Sequence, residues 1–304
     1  YYARFAPAPD TEALGVVVVA SPWNFPYAIP CGGVCAALAA GNAVVLKPPP
    51  ETRAVAWRLA SQLWRAGVPP DVLQYVACPD DEVGRRLITH DDVATVVLTG
   101  AYATAQQFLD WKPELRLLAE TSGKNALIIT EAADYDAAIE DLVHSAFGHA
   151  GQKCSAASLA ILTAPVYDDE EFMRRLGAAV RSLRIGEGGD PATIMGPLIS
   201  PPSGPLLRAL TTLDRGESWL VEPRERPGRR GRPADDEAAS RRWTPGVRVG
   251  VRDGSWFHLT ECFGPVLGVM RAKDLDHAIK LQNATPYGLT GGIHSLDDRE
   301  VQRW

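Results

Sequence analysis

The chain has 304 residues, 46% hydrophobic and 22% charged, with a formal net charge of −6. Such a composition belongs to an ordinary globular protein of about two domains. It excludes a nucleic-acid surface, which needs a basic stripe, and no apolar run is long and unbroken enough to predict a membrane span.

The elements follow in chain order. Tyr1 to Pro9 is an aromatic, Pro-rich lead-in without periodicity. Gly15 to Ala20, GVVVVA, is too apolar for a half-exposed strand and predicts a parallel strand covered on both faces. Ser21 to Pro26, SPWNFP, is a loop, because two prolines break any ladder. Ala28 to Ala40 reads as a closely packed helix and Ala43 to Leu46 as the next strand. Arg53 to Arg65 is helical, with Gly67 as its stop signal. Strands are predicted at Val72 to Ala77, Thr95 to Leu98 and Leu115 to Ala119. Helices are predicted at Asp80 to Ile88 and Ala103 to Leu109. This alternation predicts an α/β fold with a parallel sheet.

Beyond Glu120 the reading continues with a strand at Ala126 to Thr130, a helix at Tyr135 to Phe147, a strand at Leu159 to Leu162 and a helix at Asp169 to Leu183. Glu222 to Arg242 is dense in Arg, Pro and Gly and reads as an exposed insertion. Order returns at Phe257 to Met270, then a helix at Leu275 to Asn283 and a strand at Gly291 to Ser295. A helix starts near Asp297 and is still running at Trp304, so both ends read as interior positions of a longer polypeptide.

The five cysteines are Cys31, Cys35, Cys78, Cys154 and Cys262. The count is odd and no pair has zinc-site spacing, so no metal is expected. Cys31 and Cys35 share one helix face, where small apolar packing explains them. No signal peptide is expected, and a reducing compartment, the cytoplasm, is expected.

Five stretches carry candidate chemistry. In GHAGQKCSAAS, Gly148 to Ser158, Lys153 sets a positive charge beside Cys154, which favours the thiolate; the plain alternative is an inert half-buried cysteine at a helix start. Asn24 follows a buried strand, where a side-chain amide can donate to an oxyanion or cap the next helix. Lys47, in VVLKPPPET, ends a buried strand and needs a partner such as a ribose or phosphate. Glu120, in AETSGKNA, serves as a general base or as a cap or ion-pair partner. Glu261 and Phe263 precede a Gly-Pro turn in ECFGPV.

In this order, with Asn24 and Lys47 23 residues apart and Glu120 and Cys154 34 apart, these stretches resemble the aldehyde dehydrogenase superfamily. The resemblance covers nearly all of the chain except Glu222 to Arg242. It implies a Rossmann-like cofactor domain over residues 1–122 and an α/β catalytic domain over 123–304. It implies that Cys154 attacks an aldehyde, that Asn24 and the Cys154 N–H hold the oxyanion, and that Glu120 activates water. Ser21, Pro22, Trp23, Lys47, Gly100, Glu261 and Phe263 would contact an NAD cofactor, with Lys47 at the adenosine ribose and Glu261 at the nicotinamide ribose.

AETSGKNA and GQKCSAAS look like the delta-1-pyrroline-5-carboxylate dehydrogenase branch, which oxidises L-glutamate gamma-semialdehyde. Lys153 and Ser155 match the residues that hold the substrate carboxylate there. In some relatives this domain is fused to a proline dehydrogenase domain, and a homo-oligomer is expected. Two departures stand out. The glutamate expected three residues after the lysine is Pro50 here, which leaves NADP open beside NAD. The usual Gly-Ser-Thr is Gly100-Ala101-Tyr102, which removes a hydroxyl contact to the cofactor phosphates. The family also continues beyond the position of Trp304, with a substrate-anchoring loop and an oligomerisation strand.

Overall fold

The structure, a computed structural model, describes residues 12–226 and 241–304. It divides into two compact units, Tyr1–Ser122 and Gly123–Trp304.

The first unit is built on β1 (Val16–Ala20), whose valines alternate between two apolar layers. Val17 and Val19 pack with Val34 and Leu59, from helices Ala28–Ala39 and Arg53–Arg65. Val18 and Ala20 pack with Ile88 and Phe108, from helices Glu82–Thr89 and Tyr102–Trp111. Both faces are covered, which is why the strand has no polar alternation. With β2 (Ala43–Lys47), β3 (Leu73–Tyr75), β4 (Val93–Gly100) and β5 (Leu117–Thr121), it forms a sheet of order β3-β2-β1-β4-β5. Every pairing in this sheet is parallel. β5 is an edge strand, exposed from Leu118 to Glu120. It starts two residues later than its sequence suggests, because Leu115 closes a turn onto the Lys112 carbonyl and packs into the core.

The second unit holds β6 (Ala126–Ile129), β7 (Leu159–Thr163), β8 (Ser218–Val221), β9 (Gly246–Val249), β10 (Val266–Ala272) and β11 (Gly291–His294). Their order is β11-β6-β7-β10-β9-β8, parallel except for the antiparallel β8–β9 pair. Several of its helices start as the sequence suggests. Asp134 caps Tyr135–Phe147, Asp169 caps Glu170–Ser182 and Asp297 caps Asp298–Arg303.

Among the described residues, the elements that escape the sequence reading include the helices Ala164–Tyr167, Gly204–Thr211 and Trp256–Leu259 and the strands β8 and β9. β9 is disguised by Arg248, a charged residue in mid-strand. Its guanidinium is fully buried in an ion pair with Glu217 and lies 4.4 Å from the Phe257 ring. The two ends of the Glu222 to Arg242 insertion pair with each other. Glu225 bridges Trp243, and the Arg226 N–H donates to the Arg242 carbonyl at 2.7 Å. The insertion is therefore carried by the β8–β9 hairpin. Its residues 227–240, like the lead-in Tyr1 to Pro9, lie outside the described residues.

Candidate active site

In the first unit, the marked residues fall at the carboxyl ends of parallel strands. Ala20 at the end of β1 pairs with Lys47 and with Leu98, and Thr99 pairs with Glu120. Ser21, Pro22, Trp23, Asn24, Lys47, Gly100 and Glu120 thus share one edge of the sheet. The chain leaves β1 toward β2 and leaves β4 toward β5, so the strand order reverses between β1 and β4. A crevice opens at such a reversal, and ligands of open α/β sheets bind there.

Asn24 is buried, and its Oδ1 accepts from the Phe25 N–H at 3.1 Å, which makes Nδ2 the donor end. It does not cap the next helix, whose N-cap is Tyr27 with no side-chain cap. Lys47 meets a partner that the sequence reading did not mark, the carboxylate of Asp80. Glu120 takes part in no ion pair among the described residues, and the element after it is a strand, so it caps no helix. At Gly100 the helix Tyr102–Trp111 begins. Ser122 Oγ accepts from the Tyr102 N–H at 3.1 Å, and the Ser122 N–H donates to the Gly100 carbonyl at 3.3 Å. A hydroxyl does stand at this helix start, then, but it comes from the far side of β5.

In the second unit, Cys154 sits in a turn rather than at a helix start. Before it, His149, Ala150 and Gly151 are all left-handed, at φ 60°, 54° and 66°. Such a conformation costs about 1–3 kcal/mol for a residue with a side chain and persists only where packing enforces it. Ala150 and Gly151 are both buried, and a Cβ on Gly151 would lie 2.4 Å from the Gly264 carbonyl oxygen. Only glycine permits that approach.

Asn125 holds the other side of the turn. It is 5% exposed, and its Nδ2 donates to the Cys154 carbonyl at 2.6 Å and to the Ala156 carbonyl at 3.0 Å. Its Oδ1 accepts from the Thr290 N–H at 3.1 Å. Glu261 Oε1 accepts from the Gly123 N–H at 2.7 Å. Phe263, two residues on, is itself left-handed at φ 55°. Three marked stretches, 123–126, 148–158 and 261–266, therefore meet at the amino ends of β6, β7 and β10.

The Cys154 thiol is half-buried, whereas Cys78 and Cys262 are buried, and burial pushes the Cys262 thiol up. Lys153 folds back so that its Nζ lies 3.4 Å from where a Gly148 Cβ would stand, and it joins no ion pair among the described residues. Ser155 is exposed and lines a hollow of about 210 Å³ with Ser145, Asn125 and Thr290; Lys153 is not part of that lining. Lys124, unassigned by sequence, is 3% exposed, and its Nζ has no hydrogen-bond partner. The ammonium rests 3.8 Å over the Phe257 ring, and burial pushes its pKa down to about 8. No group of three or more metal-ligating side chains occurs among the described residues.

Residues 8–304 match the profile of the aldehyde dehydrogenase family. The 1-pyrroline-5-carboxylate dehydrogenase of Geobacillus thermodenitrificans is 35% identical over 298 residues, 95% of this chain and 56% of that protein. Proline Utilization A (PutA) from Corynebacterium freiburgense superposes with a TM-score of 0.92 at 52% identity, covering 100% of this chain and 31% of that one. An NAD-dependent benzaldehyde dehydrogenase from Corynebacterium glutamicum gives a TM-score of 0.80 at 30% identity, covering 96% of this chain and 61% of that one. The chain spans about half the length of the curated relatives it matches. With the profile matched over nearly its whole length, and a half-buried cysteine held in a turn that its own glycines and Asn125 shape, the chain belongs to the aldehyde dehydrogenase family.

Proposed function

We propose that the polypeptide containing this chain oxidises an aldehyde to a carboxylate with NAD or NADP, through a thioester on Cys154, and that the aldehyde is L-glutamate gamma-semialdehyde in proline degradation. The observation that carries this reading is the Cys154 turn, which fixes a half-buried thiol in a member of this family. The name shared by its relatives, 1-pyrroline-5-carboxylate dehydrogenase, supports the substrate.

The Cys154 thiolate adds to the carbonyl carbon, and the carbonyl electron pair moves onto oxygen. Asn24 Nδ2 and the Cys154 N–H donate to that oxyanion. A nicotinamide cofactor would supply the acceptor for the hydride lost from that carbon, so that the oxyanion returns to a carbonyl and an acyl group remains on the Cys154 sulfur. Glu120 then takes a proton from water, which adds to the thioester and releases Cys154 as thiolate. The residues fit such a cofactor on this chain's own geometry. The reversal of strand order between β1 and β4, with Ser21, Pro22, Trp23, Lys47 and Gly100 at the carboxyl ends of the strands, supports that reading, since ligands of such sheets bind there. Glu261 and Phe263 would hold its nicotinamide end.

Lys153 supports an anionic aldehyde. A half-buried ammonium without a carboxylate partner is a cost that a substrate carboxylate offsets. Ser155 adds a hydroxyl from the neighbouring hollow. On the likeness to Proline Utilization A, we place the chain in a polypeptide fused to a proline dehydrogenase domain, and we propose a homo-oligomer on the family resemblance alone. A cytoplasmic setting accords with five free thiols. No described helix is long and apolar enough to cross a membrane.

The test measures reduced cofactor formed by the polypeptide as it is made in the cell. Glutamate semialdehyde is compared with an uncharged aldehyde of similar length, in the native protein and in Lys153→Met. The variant should lose about ten- to a hundredfold in kcat/KM on the anionic substrate and much less on the neutral one. An equal loss on both removes Lys153 from substrate recognition. No turnover of any aldehyde overturns the oxidation itself.

A further inference from the structure

The end of the strand beside the first one is where a doubly wound sheet reads the adenosine ribose of a dinucleotide. An acid there accepts a hydrogen bond from the ribose 2′-hydroxyl and suits NAD; a cation suits the 2′-phosphate of NADP. In this chain that strand is β2, and it ends on a cation, Lys47. The loop that follows supplies no acid at Pro48, Pro49 or Pro50, and Glu51 is exposed within the turn Pro50–Thr52. Taken by itself, this edge offers a cation and no acid to accept from a ribose hydroxyl.

A carboxylate nevertheless reaches Lys47 from another loop. Asp80 lies just before the helix Glu82–Thr89, 33 residues along the chain, and its Oδ1 pairs with Lys47 Nζ. The Lys47 side chain is only 8% exposed, so its charge acts at short range in a medium poorer than water at screening it. The Asp80 side chain is 66% exposed, which leaves its carboxylate accessible from solvent. The neighbouring acids are engaged elsewhere. Asp81 accepts from the Val83 N–H at 2.8 Å, and Glu82 lies 3.8 Å from Arg85. Asp80 is thus the acid of this turn that faces the cation.

We infer that Asp80 sets the choice of NAD over NADP in this chain. It neutralises Lys47, offers an acceptor to a ribose hydroxyl and repels a 2′-phosphate. The inference rests on the nucleotide-dependent oxidation proposed above. It assigns the ribose acid to a loop distant in sequence from the lysine motif.

The test is equilibrium binding of NADH and NADPH, followed by the fluorescence of the reduced nicotinamide, with no turnover required. The native polypeptide should bind NADH at least about tenfold more tightly than NADPH. In Asp80→Asn that ratio should fall about ten- to a hundredfold, chiefly through tighter NADPH binding. Asp81→Asn, which removes a neighbouring acid of the same charge, should leave the ratio unchanged; thermal melts of both variants check that they are folded. A native preference for NADPH, or a ratio unmoved in Asp80→Asn while both nucleotides bind, overturns the inference and leaves the oxidation standing. Failure of the native protein to bind either nucleotide overturns both.

Discussion

Lys124 shows how much one side chain can cost where the fold places it. Its ammonium is fully enclosed and has no hydrogen-bond acceptor; the face of Phe257 and the nearby Cys262 and Glu261 favour its charge, but not enough to offset burial. Desolvation therefore lowers its pKa from 10.5 to about 8. A lowered ammonium pKa means that the folded chain holds this proton less tightly than the unfolded chain. Stability then rises with pH between about 8 and 10.5, and the whole penalty is present below 8. The difference corresponds to about 3 kcal/mol. Lys124→Met keeps the stem and removes the charge, so it should raise the unfolding free energy at pH 7 by up to that amount. Denaturant melts at several pH values should show the gain fading as pH approaches 10.5. A variant less stable than the native chain at pH 7 would mean that the contact with Phe257 outweighs the desolvation. The sequence marks Lys124 only as a member of the AETSGKNA stretch, because burial of its tip depends on Phe257, which is remote in the chain. Asp80 and Asn125 were illegible for the same reason. Each acts through a partner about thirty residues away, and neither residue type is unusual where it stands.

The turn before Cys154 has its geometry written in glycine at Gly151 and held by burial at Ala150, with exposed His149 left-handed beside them. The strand and helix alternation of the first unit was legible because β1, covered on both faces, carries an unbroken apolar run. The left-handed run at 149–151 was not, since His149 and Ala150 have no local preference for it. Gly151 can be weighed against Gly254, which has φ +70° and nothing within 4 Å of its would-be Cβ. Alanine at 254 bears the conformational cost alone, about 1 kcal/mol. Alanine at 151 bears that cost and a collision with the Gly264 and Ala146 carbonyl oxygens, at 2.4 and 2.9 Å. Backbone oxygens on two sides cannot both retreat, so Gly151→Ala should destabilise by at least about 2 kcal/mol more than Gly254→Ala. It should also erase any lead of Cys154 over buried Cys262 in alkylation, because the turn that presents the thiol must shift. Equal melting curves for the two variants would show that the 148–151 turn relaxes freely.

At the scale of the molecule, the proposed chemistry is divided between the two units. Asn24 and Glu120 belong to the first unit, at the carboxyl edge of its sheet, and Cys154 to the second, at the amino edge of its own. The second placement departs from the usual rule for α/β sheets, which no periodicity in the sequence could reveal. The division has a kinetic consequence. Oxidation to the thioester needs the thiolate and its oxyanion donors, whereas hydrolysis needs the base, so the two carried by the first unit act in different half-reactions. Glu120→Gln keeps the size of the side chain and removes its basicity. Rapid mixing with aldehyde and NAD should then show a burst of reduced cofactor at nearly the native rate, followed by a steady state slowed by about a hundredfold or more. Asn24→Ala should do the reverse, slowing the burst by about a hundredfold, because an oxyanion donor acts as sulfur adds to the carbonyl. If Glu120→Gln lowered burst and steady state alike, the carboxylate would act before the thioester forms. The base for the hydrolytic step would then have to be sought among the acids of the second unit, of which Glu261, already bound to the Gly123 N–H, is the nearest in sequence to a marked turn.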